Sequence, residues 1–308
     1  MITSPGSEVL LSNLGWVDKG SIWRLDTVKR VQDRVPVGDA GYLRLAAGES
    51  ADSVVVQHGL RGRLSVSVHP WSSLADPLVR VDVHGWTAHV EGDLNGFRGH
   101  ARLFVAFLDD AATGAGGYYL TEVGASQVSI RRLDWFDQQK YDPMYQQVLS
   151  AVELPSGEYL FGIQRCSDLV LCDPIDLSVI REVPLAGRLG NPVPFLRAGG
   201  TEVWAVDYDT VVRLDAASLG VEDRWLGQPP ANNGHRMFLG DLWMSRDEQE
   251  ILAPRPGSGD VVSLDPGNLR VARTWVTSGR PLTAAVLDGQ LLARDWKTGD
   301  LLSPIASG

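Results

Sequence analysis

The chain has 308 residues, of which 44% are apolar, and a formal net charge of −10 at pH 7. This apolar fraction supports a large buried core. The acidic balance argues against a nucleic-acid partner, because binding to phosphates requires a basic face. No stretch approaches the roughly 18 apolar residues of a membrane span, so we also expect no membrane partner.

The N-terminus and the cysteines predict a cytoplasmic location. No basic segment followed by an apolar run of signal-peptide length is found at the N-terminus. The sequence has two cysteines, Cys166 and Cys172, and so low a count is typical of a reducing compartment. We expect two buried, unreactive thiols on neighbouring strands. A redox pair or half of a metal site is the alternative.

A repeated unit runs along the chain. Alternating strand-like segments end, in chain order, at the anchors Asp26, His69, Asp134, Asp173, Asp215, Asp265 and Ile305. Aspartate suits the start of a turn, because its carboxylate accepts hydrogen bonds from backbone N–H groups two residues further on. Most anchors are followed by a second alternating segment, as in "TVVRLDAASLGVEDRWL" from Thr210.

The repeats predict an all-β fold, a β-propeller formed by residues 1–308 as a single domain. Two further strand-like runs lie between successive anchors, and four strands in a unit of roughly 40–45 residues make one propeller blade. No 3.6-residue periodicity competes with this pattern. Seven anchors favour seven blades, although six blades are possible. We expect the ring to be closed by N- and C-terminal strands that share a blade, "SEVLLSN" joining "LTAAVLDGQLLARDW".

At the level of these repeats the chain resembles the propeller group that includes YVTN, NHL and gluconolactonase-like proteins. The segment "LGWVDKGSIWRLD" resembles the opening blade of gluconolactonase-like propellers. The resemblance implies a divalent metal held by a Glu ahead of that blade, an Asn, and an Asp followed by Gly. Glu8 is the only acid ahead of the strand, and the later Asp-Gly step is missing. We therefore carry over no metal site and expect no cofactor.

Two similar motifs, "RGHARLFVAF" from Arg98 and "NNGHRMFLGD" from Asn232, are predicted to open the innermost strands of two blades. The innermost strand borders the central channel, and the connection leading to it lies at the channel mouth. Since histidine exchanges protons near neutral pH, His100 and His235 are candidate catalytic residues facing each other across the mouth. The alternative is repeat ancestry, with a glycine turn and a polar residue where each strand emerges.

Further polar residues near the same strand starts are predicted to hold a ligand: Arg44, Arg102, Arg236, Arg280, Asn233, Tyr42 and Tyr145. Arginines gathered around a channel in an acidic protein suit a carboxylate or a phosphate. The alternative for each arginine is a position between blades, paired with Asp or Glu.

A histidine-rich segment around residues 84–100 is predicted to be an inserted loop before the third blade. Long loops are often functional. A lid over the channel mouth, a metal site and a simple surface excursion are the alternatives, although no His-x-x-x-His spacing is present. Ten tryptophans are spread over the blades and favour packing between blades over a sugar-binding surface.

These observations predict a propeller that binds a small, anionic molecule at the channel mouth. The sequence leaves open whether the protein is an enzyme. If it is, acid–base chemistry without a cofactor fits best, in a lyase, cyclase, isomerase or hydrolase. A protein-interaction scaffold, which implies a protein partner, is the first alternative. A carbohydrate-binding lectin is the second.

Overall fold

The structure is a computed structural model. It describes residues 2–3, 8–12, 21–26, 31–36, 42–47, 53–60, 63–84, 86–89, 103–110, 116–123, 128–136, 148–163, 166, 168–185, 193–196, 200–207, 209–227, 239–240, 242–245, 249–287, 289–295, 297–298 and 300–305.

Strands in the first half of the chain form three sheets of four strands each. The first sheet has β1 (Ile2–Thr3), β2 (Glu8–Ser12), β3 (Ser21–Asp26) and β4 (Val31–Pro36). The second sheet has β5 (Tyr42–Ala47), β6 (Ser53–Leu60), β7 (Arg63–Pro70) and β8 (Val79–His84). The third sheet has β9 (Trp86–His89), β10 (Leu103–Asp110), β11 (Gly116–Val123) and β12 (Val128–Arg132).

Strands in the second half form four more sheets. The fourth sheet has β13 (Val148–Glu153), β14 (Tyr159–Ile163), β15 (Asp168–Cys172) and β16 (Val179–Pro184). The fifth has β17 (Val193–Leu196), β18 (Glu202–Asp207), β19 (Thr210–Asp215) and β20 (Val221–Leu226). The sixth has β21 (Trp243–Met244), β22 (Ile251–Arg255), β23 (Asp260–Leu264), β24 (Val271–Thr277) and β28 (Pro304–Ile305). The seventh has β25 (Pro281–Leu287), β26 (Gln290–Asp295) and β27 (Leu301–Leu302).

Each sheet is an antiparallel meander in which consecutive strands are neighbours, and β28 adds to the edge of the sixth sheet beside β24. The described residues contain no helix, and no helix in that part of the chain is long and apolar enough to cross a membrane. The sequence favoured seven four-stranded units, and the described strands form seven sheets.

The core lies between successive sheets, so both faces of a middle strand are buried. On β14, Phe161 packs with Tyr118 of the third sheet, whereas the adjacent Leu160 packs with Val203 of the fifth sheet. Both side chains are fully buried. A strand covered on both faces is apolar at consecutive positions, which is why "YLFGI" lacks polar alternation.

The predicted aspartate turns follow the third strand in three consecutive sheets. The Asp215 carboxylate accepts hydrogen bonds from the Ser218 backbone N–H and from its hydroxyl, both at 2.7 Å. Asp173 accepts from the backbone of Ile175, and Asp265 accepts from the backbone of Gly267. These contacts confirm the capping role predicted for the anchors in these sheets.

Each of these turns contains a buried leucine with left-handed backbone. Leu177, Leu219 and Leu269 have φ angles of 60°, 57° and 53°. In each case the leucine N–H donates to the carbonyl of the anchor aspartate four residues earlier. The conformation is costly for a residue with a Cβ, so it persists because the turn and the surrounding core enforce it.

Two features of the strand order differ from the sequence predictions. The described N- and C-terminal strands do not share a sheet, because β1 pairs with β2 whereas β28 pairs with β24. Ile305, the last predicted anchor, therefore lies in an added strand of the sixth sheet. Pro304 has no N–H to donate, which suits this position at a sheet edge.

The second difference concerns the predicted insertion. Residues 86–89 form β9, the first strand of the third sheet, so the strand from Leu103 to Asp110 is second in its sheet and not innermost. Residues 90–102 lie outside the described part of the chain.

Candidate functional site

One face of the molecule carries the connections between successive sheets together with the hairpins between second and third strands. We call it the connection face. The Gly227 N–H, at the start of one connection, donates to the carbonyl of Asp209 in a hairpin at 2.9 Å. The Thr277 N–H, at the start of the next connection, donates to the carbonyl of Gly259 at 2.8 Å. The aspartate turns lie at the opposite ends of the same strands.

Arg280 lies on the connection between the sixth and seventh sheets, where its backbone is held by Asp295. The Arg280 N–H donates to the Oδ2 of Asp295 at 2.8 Å. Partial burial raises the pKa of the Asp295 carboxyl. The backbone N–H donors of Arg280, Thr298 and Lys297 lower this pKa by a larger amount, so it lies below its ordinary value. Asp295 is therefore a stable carboxylate at neutral pH that fixes the backbone of the connection.

The same connection is fixed at its other end by Thr277. The Thr277 hydroxyl donates at 2.9 Å to the carbonyl of Gly259 and lies 3.1 Å from that of Gly279. A Cβ on Gly279 would lie 2.6 Å from both the Asp295 Oδ2 and a Leu302 methyl carbon. A larger residue there would displace the Asp295 carboxylate, so glycine allows this path of the three-residue connection.

The arginines at this end of the sixth and seventh sheets differ in their partners. Arg255 makes a two-point contact with Asp260, with nitrogen–oxygen distances of 2.7 and 2.5 Å, and both side chains are mostly buried. The Arg280 side chain is exposed and makes no hydrogen bond or ion pair with the described residues. Arg255 is consequently structural, whereas Arg280 has a guanidinium group with free hydrogen-bond donors.

The structure places the other predicted site residues only by their position along the chain. Tyr42 and Arg44 lie in β5, the first strand of the second sheet. Six others fall outside the described residues: His100, Arg102, Tyr145, Asn233, His235 and Arg236. Tyr145 belongs to the connection before β13, and Asn233, His235 and Arg236 belong to the connection before β21.

The two Gly-His motifs do not hold equivalent positions in their sheets. His100 and Arg102 belong to the segment between β9 and β10, a first and a second strand, whereas His235 precedes a first strand. The β10 residue Asp110 pairs with Trp86 at the start of β9, so the segment from β9 to β10 joins strand ends opposite the connection face. The roles of His100 and His235 in catalysis stay predictions.

Other arginines, which were not among the predicted ligand-binding residues, lie between sheets. Arg131 of the third sheet donates to the carbonyls of Pro174 and Ile175 in the next aspartate turn, at 2.7 and 2.9 Å. Arg213 makes the same pair of contacts with Pro266 and Gly267. These side chains tie neighbouring sheets together on the face opposite Arg280.

Tryptophans pack between sheets wherever their side chains are described. Trp204 is fully buried, and five others are half-buried: Trp71, Trp135, Trp225, Trp243 and Trp275. This observation does not support a lectin with one exposed tryptophan in each blade.

The cysteines and acidic residues add no second site in the described part of the chain. Cys172 is fully buried, and burial raises the pKa of its thiol to about 12, whereas Cys166 is half-buried. The described residues contain no cluster of three or more His, Cys, Asp or Glu that could hold a metal ion.

The sequence interpretation missed Asp295, Thr277 and Gly279, the residues that position Arg280. The segment "RDWKTGD" carries the same signal as the predicted turns, an aspartate followed by small and polar residues. Its contact with a residue 15 positions earlier depends on sheet packing, which the local pattern does not encode.

Comparison with known proteins identifies the class. No family model and no curated protein matches this chain. Among solved structures, the β-propeller domain of Myceliophteria thermophila Cps50 (Swd1) is 14% identical, with a TM-score of 0.68, and the match covers 98% of this chain and 94% of that chain. The periplasmic gluconolactonase PpgL of Pseudomonas aeruginosa is 15% identical, with a TM-score of 0.64, and the match covers 97% of this chain and 94% of that chain. A chain of a mitotic checkpoint complex is 10% identical, with a TM-score of 0.58, and the match covers 97% of this chain and 87% of that chain.

The chain is therefore a β-propeller, and the predicted all-β fold class is confirmed. At these identities the matches establish the fold alone. The neighbours include a propeller named for a lactonase and one solved within a protein complex, so fold by itself does not select a function.

Proposed function

We propose that this propeller binds a small anionic molecule on its connection face, with Arg280 as an anion-binding residue. The observation that carries the proposal is the exposed guanidinium of Arg280 on a backbone fixed by Asp295 and Gly279. Because the backbone is already fixed, binding has to order only the Arg280 side chain, and charge-assisted hydrogen bonds to an anion offset that cost. Arg255 cannot serve in the same way, because its side chain is mostly buried and Asp260 neutralises its charge.

Other predicted residues extend this site around the channel mouth. Tyr145, Asn233 and Arg236 belong to connections of the same kind, and Tyr42 and Arg44 to a first strand. A ligand held at the mouth would contact residues from several sheets, as is usual where a pocket lies at the meeting point of repeated elements.

The binding test uses Arg280→Ala and a matched control, Arg270→Ala. Arg270 is also exposed, but it lies beside the Asp265 turn, at the other end of β23. Isothermal titration calorimetry with acetate and with inorganic phosphate measures affinity. We expect Arg280→Ala to weaken binding by about 1.5–3 kcal/mol, the usual contribution of a hydrogen bond to a charged group, and Arg270→Ala to have no effect. Equal effects of the two variants would contradict the site.

We further propose a hydrolytic activity with His235, which belongs to the connection before β21, as the proton-transfer group. The proposal is supported by the likeness to a propeller whose name is periplasmic gluconolactonase. Hydrolysis of gluconolactone by the purified protein, followed as acid release, provides the assay. We expect His235→Ala to abolish turnover without changing the melting temperature. His100→Ala, on the segment between β9 and β10, is the control and should leave turnover unchanged. A loss of stability with unchanged turnover in His235→Ala would make His235 structural.

A protein-interaction scaffold is the second candidate, and exposed apolar side chains favour it. Ile175, Ile180 and Leu226 are 86%, 48% and 50% exposed and lie at or beside the outer strands β16 and β20. Apolar side chains on an outer rim are typical of protein-binding surfaces when they are contiguous. Substitution of Ile180 and Leu226 by serine would abolish association with a protein partner but leave anion binding unchanged.

A further inference from the structure

A single carboxylate brings a second cationic residue next to Arg280. The Oδ1 of Asp295 accepts hydrogen bonds from the backbone N–H groups of Lys297 and Thr298, at 2.8 and 3.0 Å, while its Oδ2 accepts from Arg280. The backbone nitrogens of Arg280 and Lys297 are thus both within hydrogen-bond distance of one carboxylate. Their two side chains start from neighbouring points on the connection face.

Both cationic side chains are available to a ligand. Arg280 and Lys297 are exposed, and neither forms an ion pair with the residues that the structure describes. Asp295 accepts three backbone N–H groups, so both of its oxygens are already engaged. It anchors the backbones of both residues, and neither cationic side chain pairs with it.

The two cations differ in a way that defines the ligand. Arginine presents a planar fork that binds two oxygens of one group, and lysine supplies a compact point charge. A monocarboxylate is satisfied by the arginine alone, and an extended dicarboxylate requires cations farther apart. A phosphate monoester carries two negative charges on three oxygens within one small group, which matches a fork and a point charge side by side.

We propose that Arg280 and Lys297 together bind the phosphate group of a phosphorylated small molecule. This inference rests on the anion site proposed above and specifies its ligand class. Asp295 and Gly279 are positioning residues: the first anchors both backbones, and the second leaves room for the carboxylate.

The experiment compares glycerol 3-phosphate with acetate and with glycerol by isothermal titration calorimetry at pH 7.5. We expect the wild-type protein to bind the phosphate ester more tightly than acetate and not to bind glycerol. Lys297→Ala should weaken binding of the phosphate ester about tenfold and leave acetate binding unchanged. Arg280→Ala should weaken binding of both anions, and Lys297→Arg should retain phosphate binding.

The outcomes separate this inference from the proposed function. If Lys297→Ala leaves phosphate affinity unchanged while Arg280→Ala weakens acetate binding, the paired site is overturned and the anion site stands. If Arg280→Ala changes neither affinity, or if the wild-type protein binds no anion, both are overturned. Gly279→Ala, checked for folding by circular dichroism, tests the positioning role. We expect Gly279→Ala to bind both anions more weakly, although Arg280 and Lys297 are still present. Unchanged affinities would refute the positioning role.

Discussion

The leucine of the aspartate turn has left-handed backbone, so its substitution by glycine and by alanine should affect the free energy of unfolding in an unusual order. Leu219 is 5% exposed, has a φ of 57° and packs in the core between the fourth and fifth sheets. Truncation of a buried leucine to alanine costs about 2–5 kcal/mol of unfolding free energy. Alanine keeps the left-handed strain, about 1–2 kcal/mol for a residue with a Cβ, whereas glycine removes it.

A buried leucine in ordinary strand conformation provides the control. Leu214 is fully buried in β19 and belongs to the same core cluster. Within a strand, glycine is less stable than alanine by about 0.5–1 kcal/mol because it loses more backbone freedom on folding. At Leu219 the removal of strain opposes this loss. The difference between the glycine and alanine variants should therefore shift by about 1–2 kcal/mol in favour of glycine, relative to Leu214.

Equilibrium urea unfolding followed by tryptophan fluorescence measures these differences for Leu219→Ala, Leu219→Gly, Leu214→Ala and Leu214→Gly. Since each comparison is made at one site, the loss of the leucine side chain cancels. An equal glycine-minus-alanine difference at the two positions would refute the claim that the turn holds Leu219 in a strained conformation. The same test applies to Leu177 and Leu269.

Two further predictions concern titratable groups. Burial lowers the pKa of His69 more than the Leu74 backbone raises it, and the ring accepts or donates a 2.7 Å hydrogen bond with Ser67. The unfolded chain therefore binds a proton first as the pH falls below about 6.5, so stability should decrease from pH 7 to pH 5.5. His69→Gln should flatten this decrease, and an identical slope in the variant would exclude His69 as its source. Burial and the hydrogen bond to Glu122 raise the pKa of Tyr159 to about 12. Tyr159→Phe should thus remove a late step from the ultraviolet titration of tyrosinate and cost about 1 kcal/mol of stability; a superimposable titration curve would contradict the assignment.

The parts of the fold that sequence could predict are those with a local physical cause. Strand alternation and turn chemistry act within a few residues, so Asp173, Asp215 and Asp265 were recognisable as turn anchors. The positive φ of Leu219 could not be predicted from the sequence, because nothing about a leucine indicates left-handed backbone. It follows from the hydrogen bond of its N–H to the Asp215 carbonyl and from the need to bury its side chain.

Features that depend on contacts between distant segments were missed or misplaced. The strand Trp86–His89 has four residues, too short for a clear alternating pattern, and its partner begins only at Leu103. Arg280 was predicted as a ligand-binding residue from its place after a glycine. Its partner Asp295 was not predicted, because the hydrogen bond from the Arg280 N–H to Asp295 joins the ends of two strands of the seventh sheet.

Free cationic side chains, more than loop length, favour the connection face as the place of the ligand. Loop length varies on both faces: β20 ends at Leu226 and β21 begins only at Trp243 on the connection face, and β9 ends at His89 and β10 begins only at Leu103 on the opposite face. The arginines of the opposite face, Arg131 and Arg213, donate to carbonyls of the next aspartate turn and so join the sheets. Arg280 and Lys297 on the connection face are exposed and form no ion pair with the described residues, which is why we place the ligand there.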